Sequence, residues 1–311
     1  MNRVLVHTGT RYPIVQAPMG WIARTQLAAA VSRAGGLGII ETSSGETEAC
    51  KAEISRMSAL GLPFGVNLPI RFLKDEAMLR NVCEAGIRFV TTSAGSPAKF
   101  IAPLKAAGIV VYHAVATLDA ALKCVDAGVD GLVVEGAEGG GFKNPEEVGT
   151  LVLLQAIRER VDVPLIAAGG IVDGRGMAAA FALGAEGIQM GTRFVASAES
   201  PVHANYKQAI VDAEATGTWV LNKRATPCIR ALKSGYTQPM HDSGLLAADA
   251  FAGIRKLYFD GEMNVAPALA GQSAGLIHDV KTVQQIIDDT VAGFHVITQR
   301  MAGMAATRQF G

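Results

Sequence analysis

The sequence predicts an α/β fold, a TIM (β/α)8 barrel with an additional C-terminal helical lid segment. Three observations predict it. Short apolar runs alternate with helical patterns through the first 195 residues, and eight of the runs read as strands. Glycine stands just past the last apolar turn of several helices, as in Ala34-Gly35-Gly36, Leu60-Gly61, Ala85-Gly86, Ala107-Gly108, Ala127-Gly128 and Leu183-Gly184. There a left-handed backbone costs glycine little. The last two strands run straight into glycine turns, Ala167-Ala168-Gly169-Gly170-Ile171 and Gln189-Met190-Gly191-Thr192-Arg193. Such alternation demands a parallel sheet with helical crossovers. Eight strands favour closure into a barrel, with an open doubly wound sheet as the runner-up. No G-x-G-x-x-G follows the first strand, which argues against a dinucleotide-binding start.

In chain order the predicted strands are Ile14–Ala17, Gly38–Ile40, Phe64–Asn67, Phe89–Thr92, Val110–Ala114, Leu132–Glu135, Leu165–Ala167 and Gly187–Met190. Each is a short apolar run bounded by polar or glycine residues. Between them, Thr25–Ala34, Glu46–Leu60, Ala98–Ala107, Leu118–Ala127, Leu151–Val161 and Gly174–Leu183 carry helical patterns. The rhythm stops after Met190. Residues 200–270 read as mainly helical, with loops at Thr226-Pro227, Ser234-Gly235 and Gln238-Pro239, and Val280–Met304 as one long helix or two. The expected division is a barrel core over 1–200, a helical lid over 201–275 and a C-terminal helix packing back on the barrel over 276–311.

Lys plus Arg and Asp plus Glu both number 28, so nothing in the net charge favours a nucleic-acid or anionic-membrane partner. Cys50, Cys83, Cys124 and Cys228 are far apart, with no C-x-x-C pair for zinc or dithiol chemistry. They read as thiols in a reducing compartment, and no metal site is expected. No apolar run approaches a membrane span or a leader, so the cytoplasm is the expected location. A homodimer through an exposed helix face is compatible with the pattern, but no residue signals one.

In a barrel the site is built at the C-terminal ends of the strands, and the last two loops are the usual place for a phosphate. Gly169-Gly170 and Gly191-Thr192 therefore read as one phosphate grip, for flavin mononucleotide or a similar ligand. After the first strand, Ala17-Pro18-Met19 lets backbone face a flat ring. Asn67 ends the third strand with an amide that can meet a ring edge or cap a turn. His113 lies at the end of the fifth. The loop after the sixth, Glu135-Gly136-Ala137-Glu138-Gly139-Gly140-Gly141-Phe142-Lys143-Asn144, holds four glycines and implies close backbone approach.

The ordered set Gln16-Ala17-Pro18-Met19, Phe64-Gly65-Val66-Asn67, Glu135 to Gly141, Ala167 to Gly170 and Gln189 to Phe194 resembles the nitronate monooxygenase family, formerly the 2-nitropropane dioxygenases. Flavin-dependent enoyl reductases and NADH:quinone reductases share that superfamily. The resemblance implies FMN at the strand ends. Ala17 and Met19 would contact its ring and Asn67 the polar edge. Gly169, Gly170, Gly191 and Thr192 would hold the phosphate. The motif neighbours Pro18, Glu135, Gly140, Gly141, Ala168, Gln189 and Met190 complete the cofactor-binding set.

One departure stands out. The resemblance implies a His after the glycine loop, as most active relatives carry, and here that position is Phe142. A phenyl ring neither gives nor takes a proton. Candidate substitutes are His113, Glu138 and Lys143, with His203 a weaker one that reads as a helix start after Ser200-Pro201. Arg193 and Lys143 are also candidates for a phosphate of CoA or a nicotinamide.

The expected activity is an FMN-dependent oxidoreductase passing electrons from NAD(P)H to a small acceptor: a quinone, an unsaturated acyl-CoA or oxygen. The alternatives are oxidation of alkyl nitronates with oxygen, and flavin binding without turnover.

Overall fold

The computed structural model describes residues 1–73 and 76–306. The end of the expected 276–311 segment, residues 307–311, lies outside the described residues. Eight parallel strands form the barrel: β1 (Ile14–Gln16), β2 (Gly38–Ile40), β3 (Phe64–Pro69), β4 (Phe89–Ser93), β5 (Val110–Val115), β6 (Gly131–Glu135), β8 (Leu165–Ala168) and β9 (Gly187–Met190). Strand β7 (Gly141–Phe142) lies outside it. The order is β1-β9-β8-β6-β5-β4-β3-β2. The two ends meet at Leu37. Its N–H donates to Ile14 O at 2.8 Å, and its carbonyl accepts from Gln16 N at 2.9 Å. Gln16 extends the seam with its side chain, as Ile39 N–H donates to Gln16 Oε1 at 3.2 Å. The barrel predicted from the alternation is the fold observed.

Alternation along each strand divides the core in two. Val15, Leu37, Ile39, Phe89, Tyr112, Val133, Ile166 and Ala168 fill the barrel interior, while Val66, Val90, Val111, Val134, Ala167 and Ile188 pack against the helices. Tyr112 is the bulkiest interior residue and decides a neighbour. A Cβ at Gly131 would sit 2.3 Å from the tyrosine ring, so β6 carries glycine there. Helix α1 (Arg3–Thr8) plugs the N-terminal end, with Val4 in the interior cluster and His7 Nδ1 2.9 Å from the Tyr112 hydroxyl. The opposite, C-terminal end is left for the site.

Strand β3 runs past its predicted end at Asn67 to Pro69, because Asn67, Leu68 and Pro69 pair with Thr91, Thr92 and Ser93 of β4. A larger difference lies after the barrel. Residues 200–270, read as mainly helical, contain an antiparallel hairpin, β10 (Thr218–Leu221) and β11 (Ile229–Leu232). It continues onto β7, with Ile229 opposite Phe142 and Arg230 opposite Gly141. The partner strand lies in the loop after β6, so the local pattern did not disclose the pairing. The C-terminal helix (Val283–Ala306) packs on the helices Gly174–Ala182 and Thr25–Arg33. Gly174 allows the close backbone approach between its helix and the C-terminal helix, since a Cβ there would come within 2.1 Å of Phe294 N.

Candidate active site

The interior-facing row at the C-terminal end brings Asn67, Thr91, Glu135, Ala168 and Gln189 together around the mouth. Glu135 lies beside Ala168, and Ala168 beside Gln189, in adjacent strand register. Gln189 is 8% exposed, yet its Oε1 has no hydrogen-bond partner. A buried amide oxygen without a donor costs free energy, and it marks a place for a ligand N–H or O–H. Asn67 is also buried. Its Nδ2 donates to Thr91 O at 3.2 Å and to Thr91 Oγ1 at 3.0 Å.

The first and last strand loops meet above this row. Ala17 N–H donates to Met190 O at 2.9 Å. A Cβ at Gly191 would lie 3.4 Å from Ala17 Cβ and 3.8 Å from Met19 Sδ. Pro18 lies between those two contacts. Met190 joins through its carbonyl alone, since its side chain lies in the core between barrel and helices. The Thr192 hydroxyl accepts from Gly271 N at 2.9 Å and keeps its own proton to donate. After β8, Gly169 and Gly170 both adopt left-handed φ, 91° and 75°.

The loop after β6 is folded back over the mouth. Glu138 is its clamp: one carboxylate oxygen accepts from Thr150 N and Thr150 Oγ1, both at 2.9 Å, and Glu138 O accepts from Gln272 N at 2.9 Å. A carboxylate committed in this way orients a loop. Gly140 presses on the 270–271 backbone, where a Cβ would come within 2.6 Å of Ala270 C, and Gly141 takes φ 77° into β7. Lys143 is buried and paired with Glu135 beneath Gly139. Arg193 is buried too, paired with Asp279 at 3.0 Å and donating to Asp279 O and Ala196 O. Both cations proposed for an external phosphate are thus taken up inside the protein.

His113 does not join the mouth. It follows Tyr112, an interior residue, so the pleat turns it to the helix side, where it bonds Thr92 Oγ1 at 2.7 Å. Position at a strand end had suggested the site, but alternation decides the direction. Burial pushes its imidazole down to about 4 from an ordinary 6.5. Below pH 6.5 the unfolded chain therefore takes a proton that the folded chain refuses until about pH 4. Stability is lost as pH falls through that window, by about 2 kcal/mol at pH 5 for this group. Unfolding of wild type and His113→Gln at pH 7 and pH 5 measures this, and an equal difference at both values would exclude the imidazole as the cause. His203 caps the helix Ala204–Val211, its Nδ1 accepting from Asn205 N at 3.1 Å.

Glu41 was not singled out from the sequence. It follows β2 and is fully buried. One oxygen accepts from Trp21 N at 3.1 Å and Arg24 Nε at 2.9 Å; the other accepts from Ser43 N at 2.7 Å and Ser44 N at 2.9 Å. These bonds hold the Met19–Trp21 turn, including Trp21 at φ 61°. An acidic residue directly after an apolar strand was the available signal.

A nitronate monooxygenase family model matches residues 3–80 and 73–293. The chain belongs to the nitronate monooxygenase family. It is 34% identical over 257 residues to the nitronate monooxygenase of Pseudomonas aeruginosa, across 68% of this chain and 73% of that one. It is 35% identical over 237 residues to the (3aS,4S,5R,7aS)-5-hydroxy-7a-methyl-1-oxo-octahydro-1H-indene-4-carboxyl-CoA dehydrogenase of Rhodococcus jostii, across 76% of this chain and 67% of that one. Among solved structures, FabK from Thermotoga maritima superposes with a TM-score of 0.93 at 38% identity, covering 97% of this chain and 99% of that one. This member of the nitronate monooxygenase family is an oxidoreductase. Among the described residues no helix is long and apolar enough to cross a membrane, and no cluster of His, Cys, Asp and Glu could hold a metal ion.

Proposed function

We propose that the mouth binds FMN and that the enzyme passes electrons from NAD(P)H to a small acceptor. The observation that carries this is the buried, unbonded Gln189 Oε1 at the end of β9, beside two glycine turns on adjacent strands. Gly169, Gly170, Gly191 and Thr192 would hold the phosphate, Gln189 and Asn67 the polar ring edge, and Ala17, Pro18 and Met19 the ring face. When bound, FMN supplies reversible hydride and electron transfer.

The chain's own contribution is to bind and orient. Phe142 offers no proton, Glu138 is held by Thr150, Lys143 is held by Glu135, and His113 faces the helices. Such a site suits an acceptor whose proton comes from water. Overall, one hydride from the nicotinamide and one proton from solvent reduce a two-electron acceptor such as a quinone. The same lack of a base at position 142 also suits a substrate that is already an anion. That favours oxidation of preformed alkyl nitronates as the second reading, in keeping with the similarity to the Pseudomonas enzyme.

Anaerobic titration of the purified protein separates the two. Flavin absorption bleached by NADH or NADPH supports the reductase, while bleaching by propyl-2-nitronate alone supports nitronate oxidation. A protein that neither carries nor takes up FMN would overturn both.

A further inference from the structure

We infer that Phe72, Phe142 and Phe251 form the surface that recognises the hydrocarbon part of the electron acceptor and so set its specificity. The inference rests on the reductase reading above. The three rings come from separate parts of the chain: the 3-10 turn Ile70–Phe72 after β3, strand β7, and the segment that follows the β10–β11 hairpin. Ring centroids of Phe72 and Phe142 are 5.6 Å apart, and those of Phe142 and Phe251 6.0 Å. Interplanar angles of 41° and 34° make them a tilted row.

The row is anchored at one end and free at the other. Phe142 stands opposite the buried Ile229 of β11, and Phe251 packs on the small core around Ile229. Yet Phe72 and Phe142 remain 45% and 51% exposed. A single exposed Phe needs no explanation, whereas adjoining exposed rings offer a ligand continuous apolar surface to bury. Its location is the C-terminal end of the barrel, directly after the glycine loop that covers Glu135.

The chemistry of the row is one-sided. Phenyl rings reward methylene groups and flat apolar surface through burial. They give a small anion nothing, and the adjacent Lys143 ammonium is occupied by Glu135. The acceptor it fits is an electrophile carrying an extended apolar substituent.

The test uses 1,4-benzoquinones with n-alkyl substituents from methyl to decyl, with whichever nicotinamide bleaches the flavin. For wild type, kcat/KM should rise roughly twofold per added methylene, about half the effect of full burial, and the rise should come through KM. Phe142→Ser and Phe72→Ser should each lose at least half of that slope, and Phe142→Leu should keep most of it. Should Phe142→Ser not fold, Phe142→His carries the same expectation. Equal slopes in wild type and folded polar variants would overturn the inference. Failure of the reductase reading shows separately, as flavin that neither nucleotide bleaches. Calorimetric binding of the same quinones then tests the row without turnover.

Discussion

Replacing Glu41 by Ala is expected to destabilise the protein by about 3–5 kcal/mol, because it leaves the Arg24 guanidinium short of a buried partner and strips four N–H donors of their acceptor. For a chain of this length the melting temperature should fall by about 5 °C or more. Glu46 still pairs with Arg24 at 3.0 Å, which keeps part of the network. The loss is local before it is global. The Met19–Trp21 turn is held by the Trp21 N–H to Glu41, and Trp21 occupies a left-handed conformation that a non-glycine residue adopts at a cost. Weaker retention of the proposed FMN should accompany the drop in melting temperature. Thermal melts with and without added FMN measure both effects, and a variant melting within a degree of wild type would show that the carboxylate is dispensable.

Gly169→Val is expected to disrupt the proposed phosphate grip. The residue has φ 91°, and a Cβ there would lie 3.0 Å from Thr150 Oγ1 and 3.1 Å from both Gly136 O and Gly139 N. A β-branched side chain adds strain to a left-handed backbone and pushes the β6 loop away from the β8 loop. Affinity for FMN should fall at least tenfold, a loss of about 1.4 kcal/mol or more. Fluorescence titration of the apoprotein with FMN gives the number, and far-UV circular dichroism confirms that the barrel persists. Undiminished affinity in a folded variant would place the phosphate elsewhere.

How much of this was legible depends on range. The barrel strands could be read because each is a local apolar run closed by a glycine turn, and the paired glycine turns lie in the chain where the strands end. The β10–β11 hairpin was missed because its third strand is Gly141–Phe142, some ninety residues earlier, and neither half advertises the pairing. His113 was legible as a strand-end residue, but its direction depends on the pleat, which Tyr112 fixes by filling the interior. Lys143 and Arg193 were legible as cations, and only their contacts reveal that Glu135 and Asp279 hold them.

The sequence by itself determined the barrel, the loops that face its mouth and a side chain at Phe142 that neither gives nor takes a proton, because local periodicity, glycine placement and side-chain chemistry are properties of neighbouring residues. The tertiary structure alone decided which groups are available. It commits Glu138 to Thr150, leaves Gln189 Oε1 unbonded, and sets Phe142 between Phe72 and Phe251. Hydrogen-bond saturation, burial and ring contact are settled between segments far apart in the chain, so residue type and spacing alone do not determine them.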